Sequence, residues 1–365
     1  MERPNRDANA LPRPWGIALA AWLLLACGTT GGHPAPDGGS DAALWSDAAR
    51  DASEPGDGRA DGGADGRFGD AAQDSGSDAG HTDPYGPYDT DGPHQVLTGR
   101  ETVSMGLGGF ELDLWVPSAA GPHPVVVLSP GFLQPAAAYA PYGQRMASHG
   151  IIVLARDDPG SFTYTTEVAA DIAHTVTTWL PAANSSQSSL LHGRVDQARI
   201  GLVGHSRGGK ATLLAAQGAL AGQLLGWFGL DPIDSAVLSG GAMARDHMGE
   251  LAIPIAYLGA SVSGTCSPVG DNYEMLYALS PSPALKLTGL GAGHTQLEDP
   301  AACFSCEGCT PAGTADGAEV LDYAVRYVTA FFARELKGDA SVGAGLEGAG
   351  ALLDQAAGLI TVEAK

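Results

Sequence analysis

Apolar runs and helical patterns alternate along most of the chain after residue 108. Seven segments have the pattern of strands: 109–117, 123–131, 151–160, 198–204, 224–231, 252–260 and 284–294. The first alternates apolar and polar residues, which predicts a half-exposed strand, whereas 123–131 is a continuous apolar run typical of a buried parallel strand. Segments 136–150, 167–180 and 318–336 carry apolar residues at helical spacing and predict helices.

This order of elements predicts an α/β fold with one mostly parallel, doubly wound sheet flanked by helices. Functional residues of such sheets lie at the carboxyl ends of the strands. The tail at 340–365 is rich in Gly and Ala and gives a weaker pattern.

The first 27 residues have the pattern of a signal peptide. Arginines precede the apolar segment Trp15–Cys27, which is too short for a comfortable membrane span. The segment resembles a bacterial lipoprotein signal, in which a cysteine, here Cys27, is lipidated and becomes the mature N-terminus. Ordinary secretion and an uncleaved anchor are the alternatives. All three interpretations place the rest of the chain outside the cytoplasm, in the cell envelope or beyond it.

Residues 28–93 have the composition of a disordered linker. They are rich in Asp, Gly and Ala and cannot bury enough apolar surface to offset the entropy lost on ordering. They contain 14 acidic and 3 basic residues, and so supply 11 of the 22 net negative charges. The acidity therefore says little about a substrate. Residues 94–365 remain for one catalytic domain, and without a basic patch we expect no nucleic-acid partner.

Residues 202–214, LVGHSRGGKATLL, place Ser206 between a strand candidate and a helix candidate. The pattern G-x-S-x-G in this position is typical of a nucleophile elbow, and Gly204 and Gly208 permit its tight turn. His205 should pack beside the turn, because sequence neighbours at an elbow point apart.

Two backbone N–H groups are the candidate oxyanion donors. One belongs to Arg207, which follows the candidate nucleophile directly, and the other to Phe132, in the loop after the strand at 123–131. The alternative for this loop is an ordinary turn.

A histidine after the last strand and an acid at an earlier strand end should complete the site. His294 follows the strand at 284–294, whereas His247 is a distant alternative. Asp231 ends the strand at 224–231 and is the favoured acid, with Asp234 and Asp271 as alternatives.

Four cysteines besides the lipidation candidate lie in the last third of the chain: Cys266, Cys303, Cys306 and Cys309. The C-x-x-C spacing is compatible with a metal site, but an oxidising compartment and an even count favour two disulfides. Three pairings are possible, and each joins Cys266 to the 303–309 cluster. A disulfide from Cys266 would join the loop after the strand at 252–260 to the loop that carries His294, and so hold the rim of the site rigid.

Several linked segments resemble the chlorophyllase family of α/β-hydrolases. GHSRGG matches its lipase motif, and 130–153 is similar to its oxyanion-loop and helix segment. GLDPID, TCSPVGDNYEMLY and GAGHTQLED resemble its acid, C-x-P-x-G-x-N-x-E and histidine segments, over roughly 120–300 in all. The resemblance implies an α/β-hydrolase fold with Ser206, Asp231 and His294 as the triad. More distant resemblances are to platelet-activating-factor acetylhydrolases and cutinase-like polyester hydrolases.

The sequence thus predicts a serine carboxylic-ester hydrolase that needs no metal or organic cofactor. We expect a monomer that takes a small-molecule or lipid-like ester and contacts the membrane through Cys27. Phe132, Leu133 and Tyr164 are candidates for the apolar walls of an acyl site. A lipase, polyesterase or acyltransferase with the same triad is an alternative, as is a catalytically silent envelope-binding module.

Overall fold

Nine strands form one mixed sheet in the computed structural model, which describes residues 83–105, 108–157, 164–236, 241–303 and 306–365. The strands are β1 (Val96–Met105), β2 (Gly108–Pro117), β3 (His123–Ser129), β4 (Ile152–Asp157), β5 (Val195–His205), β6 (Gly226–Leu230), β7 (Ile255–Val262), β8 (Ala284–Gly293) and β9 (Ile360–Ala364). The signal segment with Cys27 and most of the linker lie outside the described residues.

The strand order is β1-β2-β4-β3-β5-β6-β7-β8-β9. Strands β3 to β8 pair in parallel, whereas the β1–β2, β2–β4 and β8–β9 pairs are antiparallel. This is the topology of the α/β-hydrolase fold, and it confirms the predicted fold class. Because the parallel strands share one direction, the loops after β3, β5, β6 and β8 meet at one edge of the sheet.

Eight α-helices connect the strands in the described part of the chain. They are α1 (Ala140–Ser148), α2 (Thr165–His174), α3 (Leu180–Ser185), α4 (Arg207–Gln217), α5 (Tyr273–Leu279), α6 (Gly317–Lys337), α7 (Gly343–Leu346) and α8 (Ala349–Ala356). Asp316 caps the start of helix α6, since its side chain accepts hydrogen bonds from two backbone N–H groups of the first turn, and Gly338 caps the end in the left-handed conformation. Within the described residues no helix has both the length and the apolarity that crossing a membrane requires.

The alternation of side chains along the buried strands builds two cores. Val126 and Leu128 of β3 face α1 and α6, whereas Val125 and Val127 face α2 and α4. Both faces of the central strands are therefore covered, which explains their continuous apolar runs.

The described N-terminal segment packs against the domain earlier than the sequence boundary at 93 implies. Tyr88 is only 2% exposed, and its hydroxyl donates a hydrogen bond to Asp339. The hydroxyl of Tyr85 donates to Asp354 at 3.0 Å, and the Arg326 guanidinium lies 3.9 Å from the centre of the Tyr85 ring. Residues 83–93 thus contribute side chains to the fold.

Candidate active site

Ser206 occupies a sharp turn between β5 and α4. Its backbone dihedrals, φ 53° and ψ −124°, lie in a region that non-glycine residues rarely adopt. Glycines on either side make the turn possible. A Cβ atom on Gly208 would overlap the backbone oxygens of Ser129 and Pro130, and one on Gly204 would overlap the carbonyl of Gly208. The predicted nucleophile elbow is therefore present as a backbone conformation.

Positive φ angles among the described non-glycine residues occur only at Leu133, Ser206 and Asp231. Each of these residues follows a strand of the parallel sheet, at its carboxyl edge. Strained backbone of this kind costs roughly 1–3 kcal/mol per residue and persists where the surrounding structure imposes it. Because the strain is confined to this edge, the edge is the candidate functional site.

His294 and Asp231 are in direct contact below this edge. The Nδ1 atom of His294 lies 2.6 Å from Oδ2 of Asp231, and both side chains are buried. Oδ1 of Asp231 accepts a hydrogen bond of 3.3 Å from the backbone N–H of Ala260 in β7. Oδ1 of Asp231 is thus held by the neighbouring strand β7, while Oδ2 faces the imidazole of His294.

The alternative acids have other partners. Asp234 contacts Arg245 at 3.0 Å and Lys210 at 3.5 Å, and Asp271 contacts Arg245 at 2.7 Å. Burial lowers the pKa of Lys210, while the Asp234 carboxylate opposes this change. These charges join the loops after β6 and β7.

The alternative histidine lies apart from this site. His247 is exposed, and its Nδ1 atom lies 2.9 Å from Oε1 of Glu250.

The two oxyanion candidates line one pocket with the candidate nucleophile. The pocket has a volume of about 170 Å³, and Phe132, Ser206, Arg207, Ile233 and His294 are among its lining residues. The Arg207 guanidinium lies 5.1 Å from the centre of the Phe132 ring. The loop after β3 and the start of α4 thus meet beside Ser206, as expected.

Two of the residues suggested as acyl walls lie elsewhere. Leu133 lines a separate small cavity with Arg156 and Val168, and Tyr164 is exposed outside the residues that line the main pocket. Of the three candidates, Phe132 lies at the pocket.

Residues that the sequence reasoning missed lie directly behind His294. His205, expected only to pack, is 1% exposed, and its Nδ1 atom lies 2.7 Å from both the Tyr139 hydroxyl and Oε1 of Glu298. Burial, reinforced by the charge of Glu298, raises the pKa of Tyr139 well above its usual value, so this phenol keeps its proton. No sequence pattern pointed to Glu298, because its partners Tyr139 and His205 lie far from it along the chain.

The structure pairs Cys266 with Cys309 and Cys303 with Cys306. Cys266 and Cys309 line the pocket, so this disulfide forms part of its wall. A carboxylate oxygen of Glu298 and the sulfurs of Cys303 and Cys306 lie within 4.8 Å of one another, a grouping compatible with a metal ion. Because the two sulfurs are bonded to each other, they are not available as thiolate ligands in this state.

Comparisons with known proteins find similarity to ester hydrolases. Residues 86–227 match the family model described as PET hydrolase-like. The chain is 33% identical over 145 residues to cutinase 2 of Thermobifida cellulosilytica, which covers 37% of this chain and 53% of that protein. Bis(hydroxyethyl) terephthalate hydrolase of Streptomyces coelicolor is 31% identical over 147 residues, covering 37% of this chain and 45% of the relative. Cutinase est1 of Thermobifida alba is 26% identical over 209 residues, with coverages of 54% and 65%.

The chain thus spans about half the length of the first curated relatives that it matches. The similarity to cutinase-like polyester hydrolases is confirmed, whereas the chlorophyllase resemblance stays a prediction. The matched family region includes Ser206 but ends before Asp231 and His294.

Proposed function

We propose that the protein is an extracytoplasmic serine hydrolase of carboxylic esters, in which Ser206, His294 and Asp231 form the catalytic triad. The contact of 2.6 Å between His294 and Asp231, at the pocket that contains Ser206, carries this proposal. Ser206 and His294 line this pocket, and the contact with Asp231 orients the imidazole as in a triad that activates a serine.

In the first half of the reaction, Nε2 of His294 takes the proton of Ser206 as the hydroxyl oxygen attacks the ester carbonyl. Asp231 holds the Nδ1–H of the imidazole and stabilises the imidazolium that forms. The backbone N–H groups of Phe132 and Arg207 bind the oxyanion, and the start of α4 adds positive potential there. His294 then protonates the departing alcohol, leaving an acyl group on Ser206.

In the second half, His294 accepts a proton from water, which attacks the acyl-enzyme. The tetrahedral intermediate collapses, the acid leaves, and the proton returns to Ser206. Every proton transfer uses the one imidazole, so its orientation governs both halves.

The walls of the pocket favour an ester with an apolar or aromatic acyl group. Phe132, which is 37% exposed, and Ile233 offer apolar surface beside Ser206. The relatives named cutinase and bis(hydroxyethyl) terephthalate hydrolase point to polyester segments of this kind. We therefore place polyesters and their short oligomers first among the candidate substrates.

We further propose that the catalytic domain is exported and held at the membrane by a lipid on Cys27. The sequence around Cys27 supports this location, and the linker that follows would serve as the tether. Radiolabelled palmitate incorporation, compared with a Cys27→Ser variant, tests the anchor independently of catalysis.

The proposed activity is tested with the chain from residue 28 onward and p-nitrophenyl acetate, butyrate and palmitate as substrates. We expect turnover that the Ser206→Ala variant loses by roughly 1,000-fold or more, together with labelling of Ser206 by a fluorophosphonate. A folded protein that neither turns over these esters nor bis(hydroxyethyl) terephthalate, and that takes no label, would be a silent binding module.

A further inference from the structure

A second acid–histidine pair lies behind the proposed triad. Glu298 is 2% exposed and His205 is 1% exposed, and Oε1 of Glu298 lies 2.7 Å from Nδ1 of His205. Within the described residues, the other carboxylate oxygen of Glu298 has no hydrogen-bond partner. All the hydrogen bonding of this buried carboxylate therefore converges on the oxygen that faces the imidazole.

The hydrogen-bond partners fix where the protons of this pair lie. Nε2 of His205 is 3.1 Å from the backbone carbonyl oxygen of His294, which can only accept, so Nε2 must carry a proton. The Tyr139 hydroxyl accepts a hydrogen bond from the N–H of Gly131 at 2.9 Å and donates toward Oε1 of Glu298 at 3.2 Å. Nδ1 of His205 lies 2.7 Å from both Oε1 of Glu298 and the Tyr139 hydroxyl, so the three side chains form one buried hydrogen-bonded cluster.

This arrangement joins three parts of the site. Gly131 belongs to the loop that carries the proposed oxyanion donor, His205 to the elbow, and Glu298 to the segment that follows His294. The rings of His205 and His294 pack at 4.7 Å between centroids, with an interplanar angle of 34°. His205 thus makes two contacts with His294: a hydrogen bond to its backbone carbonyl and packing of the two imidazole rings.

We propose that His205 and Glu298 are positioning residues, which fix the imidazole of His294 for proton transfer and couple it to the oxyanion loop. This inference rests on the proposed function. Unlike Asp231, which holds the far nitrogen of the imidazole, the second pair holds the backbone and the face of the same residue. Small displacements matter here, since a shift of about 1 Å in a reacting group can cost on the order of 100-fold in rate.

The test compares two leaving groups. p-Nitrophenolate departs without protonation, whereas the ethoxide of ethyl butyrate needs a proton from His294. A displaced imidazole therefore slows the ethyl ester more, while a smaller folded fraction slows both esters equally. Rates are expressed per site labelled by fluorophosphonate, which counts only protein with a competent nucleophile.

We expect Glu298→Leu to lower kcat for ethyl butyrate about 100-fold and for p-nitrophenyl butyrate about 10-fold, with KM changed less than about threefold. Glu298→Gln should recover activity to within about fivefold of the parent, because an amide can satisfy both Tyr139 and His205. If Glu298→Leu does not fold, Tyr139→Phe removes only one hydroxyl and should show the same dependence on leaving group.

Asp354→Leu is the matched control. Asp354 is also a buried carboxylate, 1% exposed, but it bonds Arg326 and Tyr327 and does not line the pocket. It should lower the melting temperature and leave kcat per labelled site unchanged for both esters.

Equal losses on both esters, or unchanged rates, in the Glu298→Leu and Tyr139→Phe variants would overturn the positioning role. Absence of Ser206-dependent turnover in the parent protein would instead overturn the proposed function itself.

Discussion

Two residues of the proposed triad have strained backbone conformations at the carboxyl edge of the sheet. Ser206 and Asp231 both adopt positive φ, and each lies at the end of a strand whose register is fixed by neighbours on both sides. The rigid sheet can therefore hold these two residues in backbone conformations that a free loop would not keep.

Replacement of Asp231 by Asn tests the assignment of the acid. The amide nitrogen can donate to Nδ1 of His294, which would move the proton of the imidazole to Nε2 and remove the base. We expect kcat to fall by about 1,000- to 10,000-fold with little change in KM. Steady-state kinetics on p-nitrophenyl butyrate measure this loss.

Asp271→Asn is the control, because Asp271 was an alternative acid and contacts Arg245 at the surface. It should keep kcat within about threefold of the parent, as surface substitutions usually have small effects. A larger loss in Asp271→Asn than in Asp231→Asn would reverse the assignment.

The candidate site residues that sequence patterns predict lie where a strand ends. Ser206, Asp231 and His294 each end or follow a predicted strand; Ser206 and His294 line one pocket, and Asp231 contacts His294. Glu298 could not be assigned in this way, because its partner Tyr139 lies 159 residues away and only the folded chain brings them together. His205 was predicted only to point away from Ser206. That prediction could not identify the residues that His205 contacts instead, which are Tyr139 and Glu298.

At the scale of elements, the disulfide between Cys266 and Cys309 closes the part of the chain that carries β8 and His294. The backbone reinforces this connection, since the N–H of Thr265 donates to the carbonyl of Thr310 at 2.8 Å. The bond joins the loop after β7 to the segment before α6 and so fixes both sides of the pocket.

Removal of this disulfide by Cys266→Ser with Cys309→Ser should lower the free energy of unfolding by about 4 kcal/mol. The sequence separation is 43 residues, and the estimate follows from the loop-closure entropy that the bond removes from the unfolded chain. Urea unfolding followed by tryptophan fluorescence measures it.

The pair Cys303→Ser with Cys306→Ser is the comparison, because these cysteines are only 3 residues apart. The same reasoning gives a loss of about 2 kcal/mol for this shorter loop. Equal or reversed losses in the two double variants would mean that loop closure does not set the stabilisation.

Central strands were easier to predict than edge strands, for a physical reason. Strands β3 to β8 are covered on both faces, so their apolar runs are visible in the sequence. Strand β1 lies at the edge of the sheet, and of its residues only Val103 is buried, so its pattern is largely polar. Strand β9 forms the other edge and gives an equally weak pattern.

At the scale of the whole molecule, acid should weaken the packing of the N-terminal segment. His149 contacts that segment through a hydrogen bond: its Nε2 atom lies 2.9 Å from the carbonyl oxygen of Thr90. Burial lowers the pKa of His149 below its usual 6.5, and the nearby positive charges of Lys337 and Arg145 act in the same direction. Below pH 6.5 the unfolded chain therefore binds more protons at this residue than the folded one.

The free energy of unfolding should thus fall as the pH drops below about 6.5 toward the folded-state pKa of His149. In His149→Gln, which keeps a donor but does not titrate, the fall between pH 7 and pH 5.5 should be smaller. Denaturant midpoints across this range measure it.

His247→Gln is the control with the opposite sign. The hydrogen bond to Glu250 raises the pKa of His247, so any stabilisation from it is present at low pH and lost as the pH rises. In His247→Gln, the fall in the free energy of unfolding between pH 7 and pH 5.5 should be as large as in the parent or larger. A His149→Gln variant whose pH dependence equals that of the parent would contradict the role of His149.

The contact between Tyr85 and Asp354 has a consequence for the timing of biosynthesis. The two residues are 269 positions apart, and Tyr88 and Asp339 are 251 apart. At translation rates of about 5–20 residues per second, Tyr85 waits roughly 13 to 54 s for its partner to be synthesised. Throughout that interval these hydrogen bonds cannot form, so the packing of the N-terminal segment is completed only after the last helices have been synthesised. The same interval leaves the aromatic residues near its start open to chaperones and proteases.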